Sequence, residues 1–367
     1  MKKSKSISPA QIAAFRLRRH HLLERRDPNL VAVCADICGV QAQVMSSAQL
    51  ALWTRVPNVT RAAIQAALWE KRSLVKTSCM RQTLHLLAAD DFPAFITAER
   101  DSRMAAILRI MARFGIAPNE VYPMNNAVLD ALADGPLTLR QLAAAIRPKL
   151  NKKLRTWMGE MWNGFRPAIA EGLICYGPSR GAEATLVRVD QWLPKQKQIS
   201  VKKAQTTLLH RYLRAYGPAT LQDFSRWSGI PMSRVNELRE LLREDEIVQF
   251  DIDDSRHLLL AKDYEELIDS DPGGLSVRLL PGFDSYLLGH AIKDHLVEPA
   301  NYKQVYRNQG WISAVILVDG KVAGLWSYSG SRGRTAVDIR PFKKLSATVR
   351  EKIEEEAASL AKFMDAS

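Results

Sequence analysis

A nine-residue segment occurs twice in this 367-residue chain and limits the fold more than any other feature. Gly135-Pro136-Leu137-Thr138-Leu139-Arg140-Gln141-Leu142-Ala143 is answered by Gly217-Pro218-Ala219-Thr220-Leu221-Gln222-Asp223-Phe224-Ser225. Gly, Pro, Thr and Leu stand at the same offsets in both. Gly-Pro ends one helix. Thr138 and Thr220 are N-cap candidates, with Gln141 and Asp223 at the third helical position of a capping box. Each copy then runs the same course. A short helix (138–146, 220–228) precedes a second, amphipathic helix (155–171, 232–244). Two β-rich segments follow, 173–176 with 184–189 and 247–250 with 257–261. Helix, turn, helix and a two-stranded ribbon is the order of a winged helix-turn-helix unit. The first hundred residues read the same way, with helices near 9–25, 29–38 and 60–71 and a hairpin formed by 74–80 and 81–87.

Acidic residues crowd Asp263–Asp271, and Pro272-Gly273-Gly274 follows, which marks a boundary. Beyond it the pattern turns to strands. Residues 311–318 lead into Asp319-Gly320, a hairpin turn signal, and 321–328 answer them. Residues 336–339 read as a third strand and 346–364 as a closing amphipathic helix. The expected fold is therefore α+β, mainly α. Three tandem winged helix-turn-helix units (1–115, 116–198 and 199–270) precede a small C-terminal β-barrel-like domain (271–367).

Charge points to a partner. The chain has 52 Lys+Arg against 39 Asp+Glu, a net charge of +13, which suits a polyanion, nucleic acid before an anionic membrane. The excess is clustered. Residues 1–26 hold eight Lys/Arg and one acid, 147–166 hold six and one acid, and 195–214 hold six and none. Lys149, Lys152, Lys153 and Arg155 lead into the second helix of the middle unit, where a winged helix meets a phosphate backbone. Lys202 and Lys203 belong to the third cluster. Arg55, Arg81, Arg180 and Arg256 are further candidate DNA contacts. So are Arg332 and Arg334, in the glycine-containing loop Ser329–Arg334, whose backbone N–H groups can approach a phosphate. A solvated basic face is the plainer reading of any one cluster.

Other classes recede. No apolar run approaches the roughly 18–20 residues of a membrane span. Arg16, Arg18 and Arg19 interrupt the N-terminal segment before a signal-peptide core forms, so a cytoplasmic, nucleoid-associated location is expected. Cys34, Cys38, Cys79 and Cys175 make no disulfide framework and lack a second metal-spaced pair, so core packing is expected and no metal or cofactor is implied. No Gly-x-Ser-x-Gly, phosphate loop, dinucleotide fingerprint or His-Glu-x-x-His is present. Residue patterns alone thus reach a basic winged-helix protein. A transcription regulator normally needs dimer symmetry that three fused units do not supply, so a monomer on one duplex is favoured.

Several further segments carry a resemblance. They are Gly39-Val40-Gln41-Ala42-Gln43-Val44-Met45, Leu52-Trp53-Thr54-Arg55 and Arg81-Gln82-Thr83-Leu84-His85-Leu86. Leu280-Pro281-Gly282-Phe283-Asp284-Ser285-Tyr286-Leu287-Leu288-Gly289-His290 and Leu317–Trp326 complete the set. Over about residues 8 to 350 the chain resembles the tandem winged-helix (AlkZ-like) DNA glycosylases, which include the azinomycin-resistance enzyme and bacterial interstrand-crosslink glycosylases. The resemblance implies a Gln-x-Gln catalytic motif at Gln41 and Gln43. Gln rather than Asp at the second position is similar to the azinomycin-resistance branch. His85 and His290 are candidate substrate contacts. The implied partner is double-stranded DNA carrying alkylated purines, with no protein partner evident.

Glutamines suit such chemistry. An N7- or N3-alkylated purine is already cationic and leaves readily. The enzyme then needs only to place a water near C1′ and tolerate an oxocarbenium-like transition state. A Gln amide offers an acceptor oxygen and two donors for that. Residues i and i+2 share a face only in extended chain, so the motif must lie outside a helix or at its start. No sequence-level Schiff-base lysine stands out. A monofunctional glycosylase leaving an abasic site is expected, with bulky adducts and crosslinks as candidate lesions. The alternative is a winged-helix protein without chemistry, a regulator or a damaged-DNA sequestering protein.

Overall fold

The computed structural model describes residues 7–25, 29–160, 164–252, 255–271, 273–330 and 335–365. Both capping boxes form. The Thr138 hydroxyl accepts from the Gln141 N–H at 3.2 Å, and Gln141 Oε1 accepts from the Thr138 N–H at 3.0 Å. Thr220 and Asp223 do the same at 3.0 and 2.9 Å. These caps start the helices Leu139–Ile146 and Leu221–Ser228. The second helices are Lys152–Glu160 and Met232–Glu240, both shorter than the sequence suggested. A separate turn, Arg166–Ala170, follows the former; residues 161–163 of the expected 155–171 helix lie outside the described residues.

Among the described residues, twelve strands organise the rest: β1 (Val40–Gln41), β2 (Leu74–Ser78), β3 (Leu84–Ala88), β4 (Leu137–Thr138), β5 (Ile174–Arg180), β6 (Glu183–Arg188), β7 (Ile247–Ile252), β8 (Ser255–Leu260), β9 (Val277–Leu280), β10 (Val315–Val318), β11 (Lys321–Gly330) and β12 (Thr335–Pro341). One succession recurs three times: an extended piece, two helices and a hairpin. In each case the extended piece pairs with the second hairpin strand. β1 pairs with β3, β4 with β6, and Ala219 bridges Leu258 of β8. The first two hairpins also join through Lys76 opposite Tyr176, giving one six-stranded sheet in the order β1-β3-β2-β5-β6-β4.

Two long helices, Phe92–Ala112 and Val201–Tyr216, pack against each other beside this sheet. The first escaped the sequence reading because it turns Glu99 and Arg103 inward along with its apolar residues, which erases the amphipathic period. The C-terminal part is a four-stranded antiparallel sheet, β12-β11-β10-β9. Asp319 and Gly320, both at positive φ (48° and 81°), make the β10–β11 turn. The expected barrel does not close. Its edges, β9 and β12, are not paired to each other; the helix Ala347–Asp365 packs against both instead, so a helix rather than a further strand buries that face. Among the described residues no helix is long and apolar enough to cross a membrane. All four cysteines are buried; Cys34 Sγ donates to the Leu86 carbonyl at 3.3 Å.

Candidate active site

Gln41 ends β1 directly opposite His85 of β3. The next N–H, of Ala42, donates to the Leu84 carbonyl at 2.6 Å, and the helix Met45–Trp53 begins just beyond Gln43. The motif therefore lies in extended chain at a helix start, the backbone that two glutamines serving one site require. Their surroundings differ. Gln41 is 7 % exposed, and its Oε1 accepts from Arg81 Nη2 at 3.2 Å. Gln43 is exposed, and its Oε1 accepts from the Leu84 N–H at 3.3 Å. A guanidinium and a backbone N–H can only donate, so the orientation of both amides is forced. Each glutamine turns its NH₂ away from these partners, and among the described residues neither amide nitrogen has an acceptor.

Gln43 opens onto a cleft. Its other walls are Ser78, Gln82 and Leu84 of the first hairpin, Arg103 and Ile107 of the long helix, Arg166 and Ile169, and Tyr176 of β5. Arg103 is committed to the hairpin, donating to the Ser78 carbonyl at 2.8 Å and to its Oγ at 3.2 Å. Arg166 has no hydrogen-bond or ion-pair partner among the described residues, which leaves a cationic fork at the cleft wall. The hairpin turn is tight, with Arg81 and Gln82 both in the left-handed region at φ 56° and 61°. Non-glycine residues there store backbone strain. Beneath the turn Glu99 is buried beside Cys79, Arg103 and Arg81, and burial pushes its carboxyl up to about 8.

Several sequence expectations are corrected by burial. Arg55 is fully buried and forks onto Asp284, at 2.6 Å (Nη2 to Oδ1) and 2.8 Å (Nη1 to Oδ2), so it cannot meet DNA. The two motif segments that hold these residues clamp each other. Arg81 is likewise taken: besides Gln41 it donates to the Trp227 carbonyl at 2.6 Å, across to the third repeat. Burial lowers its pKa, and its guanidinium is engaged by the Gln41 amide and the Trp227 carbonyl. His85, 2 % exposed, bonds the Thr83 carbonyl through Nδ1 at 3.0 Å, and burial takes its pKa to about 3. The ring is thus enclosed opposite Gln41 and does not lie at the surface. His290 is buried too, its Nε2 on the Tyr216 carbonyl at 3.0 Å.

The other basic candidates among the described residues are exposed. Lys152, Arg155, Lys202 and Lys203 have no partner among the described residues. Lys149 faces Asp130 at 3.3 Å, Lys153 donates to the Gly115 carbonyl at 2.7 Å, and Arg256 pairs weakly with Asp251 at 3.6 Å. Arg180 braces its own repeat, donating to Gln141 Oε1 at 3.2 Å and the Pro136 carbonyl at 2.8 Å. Arg332 and Arg334 lie outside the described residues.

Residues 34–363 match the AlkZ-like DNA glycosylases. The chain belongs to the AlkZ-like DNA glycosylase family. The interstrand DNA cross-link repair glycosylase of Streptomyces sahachiroi is 30% identical over 362 residues, covering 96% of this chain and 95% of that protein. The solved structure of Streptomyces sahachiroi DNA glycosylase AlkZ superposes with a TM-score of 0.86 at 28% identity, covering 98% of this chain and 97% of that one. Membership in an AlkZ-like family makes the chain a DNA N-glycosylase and decides between the catalytic and non-catalytic readings of the sequence. Arg166, Gln82, Arg103 and Glu99 are site features that sequence reasoning missed. Arg166 was visible only as one more charge in a basic run. Gln82 and Arg103 reach the cleft, and Glu99 lies buried beneath the turn, through a long-range packing of helix on hairpin that no local pattern encodes.

Proposed function

We propose that this glycosylase hydrolyses the N-glycosidic bond of cationic N7- or N3-alkylated purines in duplex DNA and leaves an abasic site. The carrying observation is the chemistry of the cleft wall. Among the described residues that line it are Gln43, Gln82, Arg103 and Arg166, but no carboxylate, histidine, cysteine or lysine. A site without a strong acid or base suits a base that already carries its positive charge, since such a leaving group needs no protonation. The unpartnered Arg166 suits a backbone phosphate beside the lesion.

The two glutamines of the motif, Gln43 on the cleft and Gln41 beside it rather than in its lining, then divide the work. Gln43 is exposed and its Oε1 accepts one bond from the Leu84 N–H, so its second lone pair remains to accept from a water aimed at C1′. Gln41 is locked by Arg81 and presents N–H donors in a fixed direction, suited to a sugar or phosphate oxygen. The glycosylase acts as a monomer built from three winged-helix units, with the boundaries 115/116, 198/199 and 270/271. This reading is supported by the triple recurrence of extended piece, helices and hairpin.

The test is a single-turnover assay on duplex DNA with one N7-methylguanine, read as alkali-labile scission, and repeated on a bulky N7 adduct. Wild type should cut, and Gln43→Ala should lose about 10²–10³-fold in rate with binding intact, the usual effect of removing one preorganised transition-state contact. Equal rates in the two proteins would overturn the role of Gln43. Lys293 is the lysine to watch for Schiff-base chemistry. It is 9 % exposed, burial lowers its pKa to about 7, and it donates to the His290 carbonyl. It does not line the cleft. Borohydride should therefore trap no covalent enzyme–DNA adduct, and a trapped adduct would end the monofunctional reading.

A further inference from the structure

The segment Tyr302-Lys303-Gln304-Val305-Tyr306-Arg307-Asn308-Gln309-Gly310-Trp311 alternates aromatic and basic residues and contains no acid. The structure folds its end into a miniature hairpin. Tyr306 bridges Ile312, the Arg307 N–H donates to the Trp311 carbonyl at 2.8 Å, and the Ser313 N–H donates to the Val305 carbonyl at 2.9 Å. Gln309 and Gly310, at φ 59° and 74°, turn the tip in the left-handed region. Its side chains face outward. Trp311 is 49% exposed and Tyr302 39%. Lys303 and Arg307 are exposed, with no carboxylate or hydrogen-bond partner among the described residues.

Trp311 is not loose. Its ring stands edge-on against Phe283 at 5.0 Å between centroids, with 75° between the planes. Phe283 itself is held at φ 63°. Its neighbour Gly282 lies so close to the tip that an added Cβ would sit 2.8 Å from the Ile312 carbonyl oxygen. That Cβ would also come within 3.9 Å of Ser47 Oγ, in the first turn of the helix that follows Gln43. Ser285 Oγ donates to the Gly39 carbonyl at 3.0 Å, and Val44 packs on the same apolar cluster as Phe283 and Ile312. The tip is thus anchored along the segment that carries the two glutamines.

We propose that this protrusion is a DNA contact of the glycosylase. Lys303 and Arg307 neutralise backbone phosphates, and Trp311, braced by Phe283, is an apolar wedge against the base edges and sugars of the bound duplex. Exposed cations without carboxylate partners release condensed counterions from DNA, and a rigidly held apolar side chain can pack or wedge at a base step in a duplex groove. An exposed tryptophan on a preorganised support loses little freedom on binding. The proposal rests on the DNA glycosylase reading for its substrate but not for its test.

The experiment measures binding of the full-length protein to an undamaged duplex across a salt series, with release of N7-methylguanine followed in parallel. Lys303→Glu/Arg307→Glu should weaken binding and flatten the plot of log affinity against log salt by about 2 units of slope. Trp311→Ala should weaken binding about tenfold, and Trp311→Phe should restore most of it. Far-ultraviolet circular dichroism of each variant confirms its fold. An unchanged salt slope in the double variant, or equal affinities for Trp311→Ala and Trp311→Phe, overturns the proposal. Failure of the wild type to release the lesion counts against the proposed substrate and leaves these binding comparisons intact.

Discussion

Arg81 shows how a residue chosen for one role serves another. Its charge suggested a phosphate contact, yet its guanidinium joins Gln41 to the Trp227 carbonyl. Removing it frees the Gln41 amide to rotate and leaves a buried acceptor unpaired. Arg81→Ala should slow base release, while in a Gln41→Ala background the same change should cost far less. A double-mutant cycle on the single-turnover rate measures that coupling; additive losses would separate Arg81 from Gln41. Glu99 offers a pH signature. It faces Cys79, Arg103 and Arg81, and its folded pKa, about 8, lies above its ordinary value of 4.5. Its contribution is fully present below pH 4.5 and declines as pH rises towards 8, because only the unfolded state ionises freely in that window. Glu99→Gln should therefore gain stability relative to wild type from pH 5 to pH 8, read by urea denaturation. A difference that stays flat with pH would place the carboxylate outside its buried setting.

At the level of elements, the two capping boxes are the most local features of the fold and the most readily tested. Thr138→Ala and Thr220→Ala should each cost about 1 kcal/mol, since each cap satisfies an otherwise open helix N–H. A loss below a few tenths would show that tertiary packing, not the cap, sets those helix starts. The Arg55–Asp284 fork is the opposite case, tying the helix Met45–Trp53 to the turn after β9 from opposite ends of the chain. Asp284 also caps that turn, accepting from the Tyr286 N–H at 2.9 Å. Breaking a buried pair strands a charge, so Asp284→Ala should destabilise by about 3–5 kcal/mol in chemical denaturation. A loss under 1 kcal/mol would mean that water reaches the site.

Over the whole molecule, charge and topology act together. The net charge of +13 predicts strongly salt-dependent DNA binding, and Lys152, Arg155, Arg166, Lys202, Lys203, Lys303 and Arg307 are among the cations without a partner among the described residues. Neutralising Arg166 alone should weaken lesion-duplex binding and reduce the salt slope by about 1. Neutralising Arg180, which braces Gln141 and Pro136, should leave that slope unchanged. Equal effects of the two changes would erase the distinction between a cleft cation and a structural one.

How much of this was legible in the chain follows from the range of each interaction. Caps, turns and hairpins are written within a few residues. The Thr-x-x-Gln and Thr-x-x-Asp boxes, Asp319-Gly320 and the recurring hairpins could therefore be read directly, as could the extended backbone demanded of Gln41 and Gln43. Burial is set by contacts far apart in sequence. Arg55, Arg81, His85 and His290 looked like surface chemistry until Asp284, Trp227, β1 and Tyr216 closed over them. For the same reason the helix Phe92–Ala112 hid its period behind Glu99 and Arg103. The sequence by itself determined a basic chain with a repeated, capped helix-helix-hairpin plan and its Gln-x-Gln segment. Only the tertiary structure decided which cations stay free and which way each glutamine amide points, because hydrogen-bond partners and solvent exposure are properties of packed neighbours.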